Sequence, residues 1–158
     1  MIFVTVGTHN QQFNRLIKEI DRLVGIGKIR NVIAQIGHSD YTPKNYKWFR
    51  FLGFDKMLEV QKKSDLIISH GGVGSIMTGL FLNKVIIVVP RLPKYNEHVD
   101  EHQFFTTREL ERQGKIIAVY EVKNLSKAIE RAKTFKPKRV SSRSLIPKII
   151  KGYLSSFS

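Results

Sequence analysis

The chain has 158 residues, a net charge of +14 at pH 7 and no cysteine, so neither disulfides nor thiolate chemistry is available to it. Its length is that of one ordinary domain, and its 42% hydrophobic content argues against wholesale disorder. No apolar run approaches the roughly 20 residues that cross a bilayer, and Met1–Gly7 lacks the basic n-region and long apolar core of a signal peptide. Together these features point to a cytoplasmic protein, at most peripheral to a membrane.

The charge is uneven. Residues 1–79 carry 11 basic and 6 acidic side chains, residues 80–121 carry 6 of each, and residues 122–158 carry 10 basic and 1 acidic. The last segment therefore holds +9 of the total. Such a patch attracts nucleic acid, anionic lipid or an acidic partner, or serves only as a solvated surface.

Strand and helix signals alternate along the chain. Ile2–Val6 reads as a strand, and Phe13, Leu16, Ile17, Ile20, Leu23 and Val24 fall on one helical face. Strands are expected at Asn31–Ile36 and Trp48–Leu52, then a short helix from about Lys56 to Lys63 and a strand at Leu66–Ser69. After a glycine-rich turn a helix continues over Ile76–Leu82, and the strand Val85–Val89 is ended by Pro90. Arg91–Val99 reads as a polar loop, Asp100–Gln113 as a helix closed by Gly114, and Lys115–Val119 as a strand. Amphipathic helices are expected at Leu125–Lys133 and Ile146–Leu154, separated by Lys136-Pro137-Lys138-Arg139. The strand runs are near-continuously apolar, as strands covered on both faces are. The pattern is that of an α/β, Rossmann-like doubly wound parallel sheet, whose ligands bind beyond the carboxyl ends of the strands. The segments Gly7-Thr8-His9, Gly37-His38-Ser39 and His70-Gly71-Gly72, and the loop from Arg91, all follow strand ends. All five histidines (His9, His38, His70, His98, His102) lie in or near those loops.

The most specific of these segments is Ser69-His70-Gly71-Gly72-Val73-Gly74-Ser75. A strand passing through glycines into a helix directs free N–H groups and the positive end of the helix dipole at one point, which suits a phosphate or diphosphate. The alternative is a tight connection that needs glycine for steric reasons alone. No glycine lies three residues after Gly74 and no lysine follows, so neither a dinucleotide fingerprint nor a P-loop is present. Gly7-Thr8 offers a second loop to the same anion. His9 and His38 are candidates to line the site, with His9 a possible acid/base group. His98-Val99-Asp100-Glu101-His102 matches an inverted zinc-protease motif, which would place two histidines on one helical face. In the other reading, Glu97, His102 and Gln103 hydrogen-bond a polyhydroxylated ligand. Phe51-Leu52-Gly53-Phe54 could wall a nucleobase or belong to the core. Trp48 is expected in the core, and the C-terminal stripe of Ile146, Ile149, Ile150, Tyr153 and Leu154 could dock on its own domain, a partner or a bilayer surface.

Val4-Thr5-Val6-Gly7-Thr8, Gln35-Ile36-Gly37, Ser64–Ser75, Val88-Val89-Pro90-Arg91 and Glu97–Gln103, taken together, resemble the C-terminal, donor-binding half of the MurG-like GT-B glycosyltransferases of family 28. The match covers nearly the whole chain. It is closest to the stand-alone small subunits of split transferases, such as the soluble subunit of the eukaryotic dolichol-linked GlcNAc transferase and the small subunits of bacterial capsule and exopolysaccharide transferases. The resemblance implies that Gly71, Gly72, Val73, Gly74 and Ser75 hold the diphosphate of a UDP-sugar, with help from Gly7 and Thr8. It places Phe54 beside the uracil, with Gly37 and Thr78 at the same uridine end, and sets Glu97, His98, His102 and Gln103 at the sugar. Relatives commonly carry a ribose-binding Glu at the register of Thr78, a departure in this chain. No Asp-x-Asp occurs, so the resemblance implies an inverting transfer without a metal or other cofactor. The general base would then belong to a membrane-anchored, acceptor-binding partner that presents a lipid-linked acceptor. A non-catalytic partner subunit and a basic nucleic-acid-binding protein are the competing readings.

Overall fold

The computed structural model describes residues 1–139, so the expected helix Ile146–Leu154 lies outside the described residues. Six strands form one sheet: β1 (Ile2–Thr5), β2 (Val32–Gln35), β3 (Lys47–Phe49), β4 (Leu66–Ser69), β5 (Val85–Val88) and β6 (Ile117–Ala118). Their order is β3-β2-β1-β4-β5-β6, and every pairing is parallel. This is the expected doubly wound architecture, with strand order reversing between β1 and β4. Among the described residues four helices lie in the crossovers, α1 (Asn14–Gly25), α2 (Phe54–Lys63), α3 (Val73–Phe81) and α4 (His102–Arg112), and α5 (Leu125–Ala132) follows β6.

Consecutive strand residues point to opposite faces, so each apolar run feeds two cores. Val4, Ile68 and Ile87 join Leu16, Ile17, Ile20 and Leu23 of α1 and Leu125 and Ile129 of α5. Phe3, Ile67 and Ile86 join Val60, Ile76, Leu80 and Leu110 on the other face. Gly79 lets α3 lie close to the sheet, because a Cβ there would come within 2.7 Å of Ile86 Cδ1.

The strands are mostly shorter than expected at their ends, as β6 is at Ile117–Ala118 against Lys115–Val119, and three boundaries differ near the site. The third strand starts at Lys47 and ends at Phe49, not at Leu52, because the Leu52 N–H donates to the Gln35 side chain (2.9 Å) instead of to a neighbouring strand. The helix α3 begins at Val73, three residues early, directly from the glycine turn. The helix α4 begins at His102, not Asp100, because Asp100 Oδ1 accepts the His102 N–H at 2.8 Å from outside the helix.

Candidate functional site

The β1–α1 and β4–α3 connections meet where the strand order reverses, and a histidine ring separates them. His70 is buried, with its N–H bonded to Thr5 O (3.0 Å). Its imidazole fits between two glycines: a Cβ on Gly7 would lie 2.4 Å from His70 Nε2, and one on Gly72 would lie 2.1 Å away. Gly7 also has φ +73, a conformation that glycine adopts without a Cβ penalty. Burial, reinforced by the Arg91 charge, lowers the His70 pKa to about 3, so the ring is neutral.

The expected diphosphate residues divide into two groups. Gly7 donates its N–H to Thr5 Oγ1 (3.2 Å) and accepts from Gln35 Nε2 (3.2 Å). Gly71 donates to Gln103 Oε1 (3.0 Å), and a Cβ on it would strike Gln103 Cβ at 2.6 Å. Gly7, Gly71 and Gly72 are thus required by packing. Gly74 is not: it is exposed, and a Cβ there meets nothing within 4 Å. The N–H groups of Val73, Gly74 and Ser75 open α3, which has no side-chain cap, and they have no partner among the described residues. Thr8 is exposed on the facing loop. Thr78, one turn into α3, donates its hydroxyl to Gly74 O (2.9 Å).

Beneath these loops lies Arg91, which is fully buried. Its guanidinium donates to the carbonyls of Val6 (2.7 Å), Gln11 (2.9 Å), Gln12 (3.2 Å) and Glu97 (3.0 Å) and lies 5.1 Å from the Phe13 ring centre. Burial lowers its pKa to about 10 and Glu97 opposes the shift, so it remains cationic at neutral pH. Glu97 itself is 0% exposed. Its carboxylate accepts from Arg15 Nε (2.8 Å), Arg15 Nη2 (3.0 Å) and the Leu92 N–H (3.1 Å). This revises the expectation that Glu97 reads a sugar: the carboxylate is enclosed and fixes the loop after β5. Arg15, Arg91 and Glu97 together leave one positive charge below the glycine turn.

Gln103 Oε1 likewise faces inward, accepting from both Gly71 and Arg91 N–H (3.0 Å each). Of the expected sugar group, His98 and His102 are half-buried. His98 stacks on His9, with ring centres 4.7 Å apart and planes at 26°. His102 Nε2 is buried without a hydrogen-bond partner. Because α4 starts at His102, His98 is not on the helix, and the two-histidine helical face of the zinc motif does not form. Among the described residues no three His, Cys, Asp or Glu side chains are grouped as a metal set.

At the other end of the rim, Gly37 (φ +55) packs against Gly7 O, and Gln35 ties the β1 loop to Leu52. Phe54 opens α2 and is 76% exposed, as an available apolar wall would be. Phe51 is also exposed and meets His38 edge-on at 4.9 Å. Trp48 packs on the α1-side core as expected. The sequence reading assigned no part to Arg15, Gln35 or Arg91. A charged residue straight after Ile-Ile-Val-Val-Pro was the available signal for Arg91.

The strand order and parallel pairings define a Rossmann-like, doubly wound α/β domain with the N-terminus of α3 open at its switch point. Residues 1–148 match the glycosyltransferase family 28 C-terminal domain, and the chain belongs to that family. It is 30% identical over 126 residues to the human UDP-N-acetylglucosamine transferase subunit ALG13 and 29% identical over 126 residues to the mouse protein. Those alignments cover 73% and 72% of this chain but only 10% of each relative, so the chain spans about a tenth of their length. The solution structure of an ALG13 has a similar fold (TM-score 0.60, 22% identity, 94% of this chain and 93% of that one). So does the glycotransferase of kitacinnamycin (TM-score 0.63, 16% identity, 96% of this chain and 37% of that one).

Proposed function

We propose that this chain is the UDP-sugar-binding catalytic subunit of a two-component, inverting hexosyltransferase acting on a lipid-linked acceptor in polysaccharide or glycan assembly. One observation carries the reading: the N–H groups of Val73, Gly74 and Ser75 have no partner among the described residues, above the group of Arg15, Arg91 and Glu97 that keeps one net positive charge. In this reading they receive the diphosphate, with Thr8 reaching it from the first loop. Phe54 and Gly37 flank the uracil, and His98 and His102 contact the sugar.

The chemistry follows from that placement. The acceptor hydroxyl attacks C1, the bond from C1 to the diphosphate oxygen breaks, and negative charge grows on UDP. Amides already aimed at that charge, the α3 dipole and Arg91 stabilise it without reorganising. The proposed transfer uses no metal or other cofactor, consistent with the lack of an Asp-x-Asp sequence. The general base and the acceptor site belong to a membrane-anchored partner subunit, which holds this chain at the cytoplasmic face. No described helix is long and apolar enough to cross a membrane.

Calorimetric titration with UDP, UDP-GlcNAc, UDP-Gal, UDP-Glc and UDP-GlcA, with GDP as control and EDTA present, tests the donor site and ranks the sugars. Uridine-selective binding is expected. Thr78 favours one second reading, a non-catalytic partner subunit, because its hydroxyl bonds to Gly74 O where relatives place a ribose-binding carboxylate. Absence of uridine-nucleotide binding, in the isolated chain and in a co-purified complex, would favour that reading.

A further inference from the structure

The cations of this chain are sorted by the fold. Each crossover helix returns the chain to the amino-terminal edge of the sheet, and nearly every return is basic. Lys28 and Arg30 precede β2, Lys62 precedes β4, Lys84 precedes β5, and Lys138 and Arg139 follow α5. Those before β4 and β5 and after α5 adjoin one another, and Lys28 and Arg30 stand further along the same edge, before β2. Lys84 Nζ donates to Lys62 O (2.8 Å), Lys138 N–H donates to Gly114 O (3.0 Å), and Lys115 Nζ donates to Arg139 O (2.8 Å). Lys84, Lys138 and Arg139 line a groove of about 400 Å³ with Leu80, Asn83 and Pro137.

None of Lys28, Arg30, Lys62, Lys84, Lys138 and Arg139 forms a close ion pair with a carboxylate among the described residues, although Lys84 stands near enough to Asp65 to feel its charge. The carboxylates near this edge are engaged: Asp65 by the amino terminus, Glu59 by Lys56 and Lys63, Glu109 by Arg112, Glu111 by the Tyr120 hydroxyl and Glu130 by Lys133. The loops at the opposite edge carry both signs, with Lys94 and Lys123 set against Asp100, Glu101 and Glu121. Two exposed apolar side chains stand on the basic edge, one at the end of a helix on each side of the sheet. Ile26 follows α1 and Phe81 closes α3, and each is 57% exposed. With strands about 4.8 Å apart, the six-stranded edge is roughly 24 Å wide.

We propose that this edge is a docking face for an anionic phospholipid bilayer. Lysine and arginine heads attract the headgroups, while Ile26 and Phe81 enter the boundary between headgroups and acyl chains. Nucleic acid fits the same charge less well, because this edge lacks the row of aromatic rings on which unpaired bases stack. The inference rests on charge and exposure, independently of the donor-site reading.

The test is flotation of the full chain with phosphatidylcholine vesicles and with vesicles in which about a third of the lipid is phosphatidylglycerol. Binding is expected only to the anionic vesicles and falls with added salt. Lys28→Gln with Arg30→Gln is expected to weaken it about 25-fold, at about five-fold per cation. Ile26→Ser with Phe81→Ser is expected to weaken it with the charge intact. These side chains are exposed, and thermal melting checks that the variants fold. No binding to anionic vesicles overturns the proposal. So does binding that the edge variants leave unchanged, which would assign it to another part of the chain. A random single-stranded RNA that binds where vesicles do not also overturns it, in favour of nucleic acid.

Discussion

Alanine at Gly72 would place a methyl group 2.1 Å from His70 Nε2 and 2.8 Å from two ring carbons. Gly72 has φ −74 and ψ 128, ordinary for any residue, so the perturbation is steric and not conformational. The ring must move by about 1 Å from a buried position, and overpacking of that kind costs roughly 1–3 kcal/mol. His70→Ala removes the obstacle at its own cost of roughly 2–5 kcal/mol for a vacated core site. In that background Gly72→Ala is expected to be near neutral, within about 0.5 kcal/mol. The reduced unfolded-state entropy offsets alanine's poorer fit at an N-cap. Gly7→Ala is the control: its Cβ also meets the ring, but φ +73 keeps it costly by about 1–2 kcal/mol after the ring is gone. Urea unfolding of the wild type, the single variants and the doubles gives the coupling energy. A Gly72→Ala cost that is the same with and without His70 would refute the wedge.

Three further outcomes follow from the same geometry. His70 is neutral in the fold with a pKa of about 3 and titrates near 6.5 when unfolded, so its stabilisation is present above about pH 6.5 and declines as pH falls toward 3. The urea midpoint should fall between pH 6.5 and 5, at a slope approaching ~1.4 kcal/mol per pH unit, and His70→Asn should reduce that slope to the smaller part left by His9, whose pKa is lowered chiefly by burial. Glu97→Gln leaves Arg15 and Arg91 without their carboxylate and should cost roughly 3–5 kcal/mol in denaturation, with part recovered in Arg15→Met/Glu97→Met. Gln103→Leu leaves the Gly71 and Arg91 N–H groups unpaired, at about 1–3 kcal/mol each, whereas Gln103→Glu retains the acceptor and should lose less in the same assay.

The strand runs and helical spacings disclosed the sheet and its crossovers because both cores are built from local periodicity. Ile67-Ile68 and Ile86-Ile87 announce a strand buried on two sides, and the six-residue face of α1 announces a helix. The open helix start at the glycine turn was legible for the same reason: its backbone geometry follows from consecutive residues. Glu97 and Gln103 were not legible, because a polar side chain looks alike in sequence whether it meets a ligand, the Arg15 guanidinium 82 positions away or the Gly71 N–H 32 positions away. His70 was placed on the rim, but its function as a wedge depends on Gly7, in the loop after another strand. The different demands on Gly72 and Gly74 also arise only in three dimensions, from what stands opposite each missing Cβ.

The central claim is that the open amides of α3 receive a nucleotide diphosphate, and amide-resolved NMR titration of the labelled chain tests it most directly. UDP should shift the Val73, Gly74 and Ser75 N–H signals saturably, and uridine at the same concentration should not. Gly74→Trp, whose side chain enters open space, should abolish the response without lowering the melting temperature. Shifts centred elsewhere, or a UDP response that survives Gly74→Trp, would contradict it.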